Sequence, residues 1–399
     1  MTVSSASGSS GAGSPGGGWS IGGRVLLPDG TLGLGHIAVD GSRITTAEHG
    51  PIPTGALSDP AWTIVPGFVD IHVHGGGGHT MTTGDPDAVA GATAFHRRHG
   101  TTTTLVSFVT APVDRLAAAA GRIAEWLAGA EPSVRRRIAG IHLEGPFLST
   151  ARCGAQDPAH MVDPTRRDVD QLIVAGRGEI RVVTIAPERE GALDAIRQLV
   201  AAGVVAAIGH TDATFEQTAA AIAAGATLAT HLGNAMPPLH HRAPGAIAGC
   251  LTAPSVVCEL IVDGHHLHPG MVQLVTAAKA DDGVALITDA IAATGAGDGR
   301  YVLGSMEVDV ADGVARLAHG HSLAGSTLTM DAAFRNAAEC GLSIGAASRA
   351  ASLNPARVIG LADEVGSIEP GKRANLLVLD DALSLVAVIE DGVVVEGAL

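Results

Sequence analysis

Ile64-Val65-Pro66-Gly67-Phe68-Val69-Asp70-Ile71-His72-Val73-His74-Gly75-Gly76-Gly77-Gly78 is an apolar run that ends in two histidines and a glycine track. Such a run reads as a buried strand that delivers chemistry at its tip. Residues two apart on a strand share a face, so His72 and His74 aim their rings at one point while Ile71 and Val73 pack the other way. Imidazoles presented in this way suit a metal ion. A His-x-His pair is weak evidence alone, and its support comes from the rest of the chain, which repeats the design.

Working outward, a short β-branched run, a polar tip and an Ala-rich helical stretch recur through the middle of the sequence. The runs occupy 63–74, 101–110, 138–144, 180–187, 204–210, 227–231, 256–263 and 284–289. Eight strands alternating with helices predict an α/β protein, a (β/α)8 TIM barrel over 64–363. Side chains at the C-terminal ends of barrel strands converge on one mouth. Those ends carry His72 and His74, Glu144, His210, His231, Asp263 with His266, and Asp289. Buried charge without a partner is too costly for such a pattern to recur as core packing.

The flanks have a different texture. Short apolar alternations broken by Asp29-Gly30, Asp40-Gly41 and Asp391-Gly392 are hairpin signals at both ends of the chain. They predict that 19–63 and 364–399 meet as one small β-sandwich module. The segment 295–325 reads as an inserted hairpin, with helical spacing returning over 327–340 and 344–359. Residues 1–18 are Ser/Gly-rich and read as a disordered tail, with neither the basic start nor the apolar core of a secretion signal.

Composition limits the partners. The net charge of −15 argues against nucleic acid and anionic membranes, and no stretch approaches a membrane span. Any anionic ligand needs a local cationic pocket. Four cysteines, Cys153, Cys250, Cys258 and Cys340, show no Cys-x-x-Cys spacing. Neither a disulfide framework nor a zinc knuckle is indicated, and the reduced cytoplasm is the expected location.

The motifs PGFVDIHVHGGGG (66–78), HLEGPFLS (142–149), GHTDA (209–213), THLGNAMPPLHHRAPG (230–245), VDGHHLHP (262–269), LITDAIAATG (286–295) and LAGSTLTMD (323–331) together resemble the N-acetylglucosamine-6-phosphate deacetylases of the amidohydrolase superfamily. The resemblance spans nearly all of the chain after the tail. It implies a metal-dependent amide hydrolase acting on a small amino-sugar phosphate, with Glu144, His210 and His231 as ligands of the principal metal. Zinc is the first expectation, and iron, manganese, cobalt or cadmium are alternatives. The retained His72 and His74 imply a second metal, so one or two ions are expected per subunit. Lys279 and Lys372 are the chain's lysines and neither ends a strand, which argues against a carboxylated-lysine bridge.

Asp289 resembles the family's catalytic aspartate, which takes a proton from the attacking water and passes it to the leaving nitrogen. A helix N-cap is the alternative for an aspartate in this position. The same resemblance makes Gln156, Asn234, Ala235, Arg242, His266 and Ala324 substrate-binding residues. In relatives the matching arginine comes from a partner subunit, so a homodimer is expected. Two positions depart from the family pattern. Gln156 stands where relatives usually carry a histidine against the acetyl carbonyl, and Gly233 stands where an aromatic residue is common. Gln156 can donate a hydrogen bond but cannot become cationic. These departures leave open deacylation of another N-acyl amino sugar, or a weakened paralogue that only binds sugar phosphates.

Overall fold

The computed structural model describes residues 18–320 and 322–399. Apart from Gly18, the tail expected over 1–18 lies outside the described residues. Eight strands form one all-parallel sheet in chain order: Phe68–Asp70, Thr101–Phe108, Ile138–Glu144, Ile180–Ile185, Val205–Ile208, Leu228–Ala229, Val257–Leu260 and Val284–Leu286. These are barrel strands one to eight below. Strands two and three are buried at every position, because helices cover the outside and side chains fill the inside. Strands of that kind read as continuous apolar runs, which is what made the repeat visible.

The ring closes between its first and last strands at the mouth. Val73 bridges Ala290 in parallel, the Asp289 N–H donates to the His72 carbonyl (2.9 Å), and the His74 N–H donates to the Ala290 carbonyl (2.8 Å). The bonds that shut the barrel are therefore made by the His-x-His segment and by the stretch that bears Asp289.

Both ends of the chain meet in one seven-stranded sheet. Its order is Val393–Gly397, Leu385–Glu390, Leu376–Leu379, Leu57–Pro66, Trp19–Leu26, Leu32–Asp40 and Arg43–His49. The sheet is continuous and bends over its own core of Ile21, Ile37, Ile64, Leu376, Val378 and Ile389, and a bridge from Arg43 to Arg373 ties one edge back. The opening run of sequence is split between the two bodies. Thr63–Pro66 pairs with Leu376–Leu379, and only Phe68–Asp70, one glycine later, joins the barrel.

The insertion expected as a hairpin is a three-stranded antiparallel sheet, Gly299–Leu303, Met306–Ala311 and Val314–Leu317. It has a small core of its own, in which Leu303, Val308 and Ala315 pack on Val109 and Ile291. Helices follow at Met330–Glu339, Ile344–Ser348 and Asn354–Val358, the last two joined by a wider π-helical turn. Among the described residues no helix is long and apolar enough to cross a membrane.

The glycine track after His74 is held from beneath. A Cβ on Gly75 would meet the His79 carbonyl oxygen at 2.4 Å, and the Gly75 carbonyl accepts from His96 Nε2 at 2.8 Å. That ring is fully buried, and burial drives its pKa down to about 4 from an ordinary 6.5. The unfolded chain thus binds a proton that the folded chain refuses. Stability attributable to His96 is complete above pH 6.5 and falls as the pH drops toward 4. The loss amounts to about 3 kcal/mol at 1.36 kcal/mol per pKa unit. His96→Gln, which keeps a donor but does not titrate, is expected to flatten this acid limb in denaturant titrations run at pH 7.5, 6 and 5. An unaltered limb would refute it.

Candidate functional site

Each side chain at the barrel mouth arrives by the same device, an apolar strand that stops and turns. Glu144 ends the third strand, and His210 and His231 stand two residues beyond the fifth and sixth. His72 and His74 follow the first, and Asp289 stands three residues beyond the eighth. Three of these residues have left-handed backbones: His210 (φ 46°), His231 (φ 27°) and Asp289 (φ 50°). A conformation of this kind costs on the order of 1–3 kcal/mol in a residue with a side chain, and it persists where the surroundings impose it. The arrangement also needs bare backbone at Gly209, where a Cβ would lie 2.6 Å from that of Thr230.

Glu144 is the hub. Its Oε1 lies 2.9 Å from the Nε2 atoms of both His210 and His231, and its Oε2 lies 3.1 Å from His74 Nε2. Asp289 Oδ1 is 3.2 Å from His74 Nε2 and 3.5 Å from His72 Nε2. Two overlapping sets result, His72, His74, Glu144 and Asp289 on one side and Glu144, His210 and His231 on the other. Within each set all the ligand atoms fall within 4.8 Å of one another. Asp289 starts no helix, so the N-cap alternative is removed.

The outer nitrogens fix what the inner ones can do. His74 Nδ1 faces the Ser107 carbonyl (3.2 Å) and His210 Nδ1 faces the Arg152 carbonyl (3.0 Å). A carbonyl only accepts, so each Nδ1 carries a proton, and Nε2 is the atom each ring turns inward. Two further rings and two carboxylates converge on the same space, with Nε2 atoms of His72 and His74 only 3.1 Å apart. A converging set of imidazole nitrogens and carboxylate oxygens fits a cation.

The titration behaviour agrees. Burial disfavours charge on Glu144, yet the surrounding histidines, His72 first, hold its pKa well below the ordinary value. Asp289 is lowered in the same way, against burial, by His72 and His74. Burial opposes charge on His72 as well, but Glu144 and Asp289 raise it well above 6.5. His142, sandwiched beside His72 with hydroxyls of Ser107 and Thr184 on its two nitrogens, is pushed well below 6.5 by burial and stays neutral.

A cavity of about 410 Å³ opens above the cluster, lined by His74, Glu144, His210, His231 and Asp289 and also by Gln156, Asn234, Ala235 and His266. His266 Nδ1 is held by Asp263 at 2.7 Å. Gln156 is more than a lining residue. Its Oε1 accepts the Thr110 N–H (2.7 Å) and its Nε2 donates to Glu144 Oε2 (2.5 Å), which locks the amide with its donor side toward the cluster. Two expected substrate residues are not in the wall. Arg242 is exposed on its loop with its guanidinium on His241, and Ala324 is buried in the core of the inserted sheet. The neighbours of Ala324, Leu323 and Gly325, are what face the cavity. Gly233 does not line it either, and its φ of 93° is a glycine conformation.

Sequence reasoning passed over Glu259, a fully buried acid inside the seventh strand that hydrogen-bonds His72 Nδ1 at 3.1 Å. An acid in the middle of the apolar run 256–262 was the available signal. It also passed over Arg152, which lines the cavity while paired with Asp212.

Residues 63–398 match the Amidohydrolase family. An N-acetylgalactosamine-6-phosphate deacetylase of Escherichia coli O157:H7 is 40% identical over 361 residues, covering 90% of this chain and 94% of its own. An N-acetylglucosamine-6-phosphate deacetylase of Bacillus subtilis is 35% identical over 364 residues, covering 89% and 91%. Among solved structures, the N-acetyl-D-glucosamine-6-phosphate deacetylase of Mycobacterium smegmatis superposes with a TM-score of 0.90 at 44% identity, over 95% of this chain and all of that one.

Proposed function

Because the chain belongs to the amidohydrolase family, we propose that it hydrolyses the acetamide of N-acetylglucosamine 6-phosphate, releasing acetate and glucosamine 6-phosphate. The observation that carries this reading is the Glu144-centred cluster in a cavity also lined by Asn234, Ala235 and His266. The agreement of the relatives on N-acetylhexosamine 6-phosphates supports the substrate class.

Glu144, His210 and His231 would hold the principal ion, and His72, His74 and Asp289, with Glu144 shared, would hold a second. When bound, a divalent cation acidifies a water molecule and polarises a carbonyl. The mixed imidazole and carboxylate set favours zinc, with iron, manganese, cobalt and cadmium as competitors. Asp289, kept ionised beside His74, accepts the proton of the attacking water and returns it to the amine nitrogen as the C–N bond breaks. Gln156 cannot flip, since Thr110 occupies its oxygen, so its second N–H is free to donate to the acetyl oxygen. That contact is neutral, which predicts less transition-state stabilisation than a histidinium would give. Asn234, the Ala235 amide and His266 hold the phosphate end. The exposure of Arg242, away from its own cavity, supports its service in the cavity of a partner subunit within a homodimer. Free cysteines throughout support a cytoplasmic location.

Acetate release from N-acetylglucosamine 6-phosphate, its C4 epimer and the unphosphorylated sugar tests this reading. The expected order is the gluco phosphate first, the galacto phosphate second and the free sugar last. Equal rates with and without phosphate would overturn the assignment, and no acetate from any of them would favour the binding-only paralogue.

A further inference from the structure

Glu259 touches neither the cavity nor any inward nitrogen, yet it meets both halves of the cluster. Its Oε2 lies 3.1 Å from His72 Nδ1 and 3.2 Å from the backbone N–H of His231. The strand Val257–Leu260 that carries it is otherwise apolar, and the side chain is 1% exposed. That oxygen already accepts the His231 N–H, so it accepts from His72 Nδ1 as well and leaves Nε2 as the atom that faces Glu144 and Asp289. His142 cannot substitute for it, since it packs edge-on at 4.5 Å and spends both of its nitrogens on hydroxyls.

We propose that Glu259 is the positioning residue that makes the His72/His74 side of the cluster a second cation site. It does so by accepting a hydrogen bond from the His72 Nδ1 proton, which fixes that ring's tautomer and orientation and makes its Nε2 the better ligand atom. Its contact with the His231 N–H needs only an accepting oxygen, which an amide side chain keeps. The principal set, Glu144, His210 and His231, does not include His72 and needs neither its tautomer nor its orientation. Loss of Glu259 therefore separates the two sites. This inference rests on the metal reading above and is independent of the substrate.

The test is a titration of metal-free full-length protein with Co2+ and then Zn2+, following cobalt absorption and ions bound per chain. The parent protein is expected to fill a tight and a weaker phase. In Glu259→Gln, an isosteric change, the weaker phase should move 10–100-fold toward weaker binding, the range seen when a ligand's supporting partner is lost, with the tight phase unmoved. Added to His72→Ala, the same change should have no further effect, because it acts through that ring. If Glu259→Gln does not fold, Glu259→Asp carries the same expectation of a selective loss. A single phase in the parent, an unaltered weaker phase in the variant, or equal weakening of both phases overturns the proposal. No substrate is used, so a failure here is distinct from a failure of the deacetylase reading.

Discussion

Asp289→Asn is expected to lower kcat by about a thousandfold, within the range that general acid–base catalysis contributes, while the principal ion stays bound. The substitution keeps the size and the left-handed backbone, since asparagine tolerates φ near 50° better than most residues. It removes the acceptor that must hold the proton of the attacking water. The principal set does not include this residue, so metal content separates loss of chemistry from loss of the site. KM should change little, because Asp289 meets the substrate at its reacting end only. Turnover within tenfold of the parent would remove Asp289 from the mechanism.

Glu144→Gln is expected to be more damaging and in a different way. Glu144 belongs to both ligand sets, and its two oxygens face His210, His231, His74 and the Gln156 amide. An amide puts N–H donors where lone pairs and a charge stood, and Gln156 then confronts either a second donor or a turned side chain. Affinity for the principal ion should fall by at least about a hundredfold, the upper end of what the loss of even an outer-shell partner costs. Turnover should fall below detection, and excess metal should no longer raise the melting temperature, as it does for a folded state that binds. Full metal content in this variant would show that the hub has been misassigned.

The strand ends were legible because each pairs an apolar run with a polar tip, a contrast that burial cost makes improbable by chance. His72, Glu144, His210, His231 and Asp289 meet in space for that reason. Less visible was the split of the opening run. Thr63–Pro66 and Phe68–Asp70 are both fully buried, one in the terminal sheet and one in the barrel, and hydropathy does not change at Gly67. The third strand of the insertion was readable from Asp312-Gly313, a second turn after Gly304-Ser305, whereas the wall made by Leu323 and Gly325 was not. Which residue of such a loop faces the cavity depends on how the inserted sheet packs against Val109 and Ile291, and that contact is long-range. The locked amide of Gln156 is equally a tertiary fact, since its partner Thr110 comes from another strand's end.

The terminal sheet has a consequence for how the protein is made. The strand Leu57–Pro66 leaves the ribosome early, but its partner Leu376–Leu379 follows about three hundred residues later, roughly 15–60 s at ordinary rates of synthesis. For that interval the side of Thr63–Pro66 that pairs with Leu376–Leu379 is an unpaired edge. Unpaired edges of this kind recruit other chains. The barrel itself starts one glycine further on, so its first strand emerges attached to this exposed edge. Newly made chains are therefore most prone to aggregate before Leu376–Leu379 appears, and deleting that strand should lower the yield of folded protein.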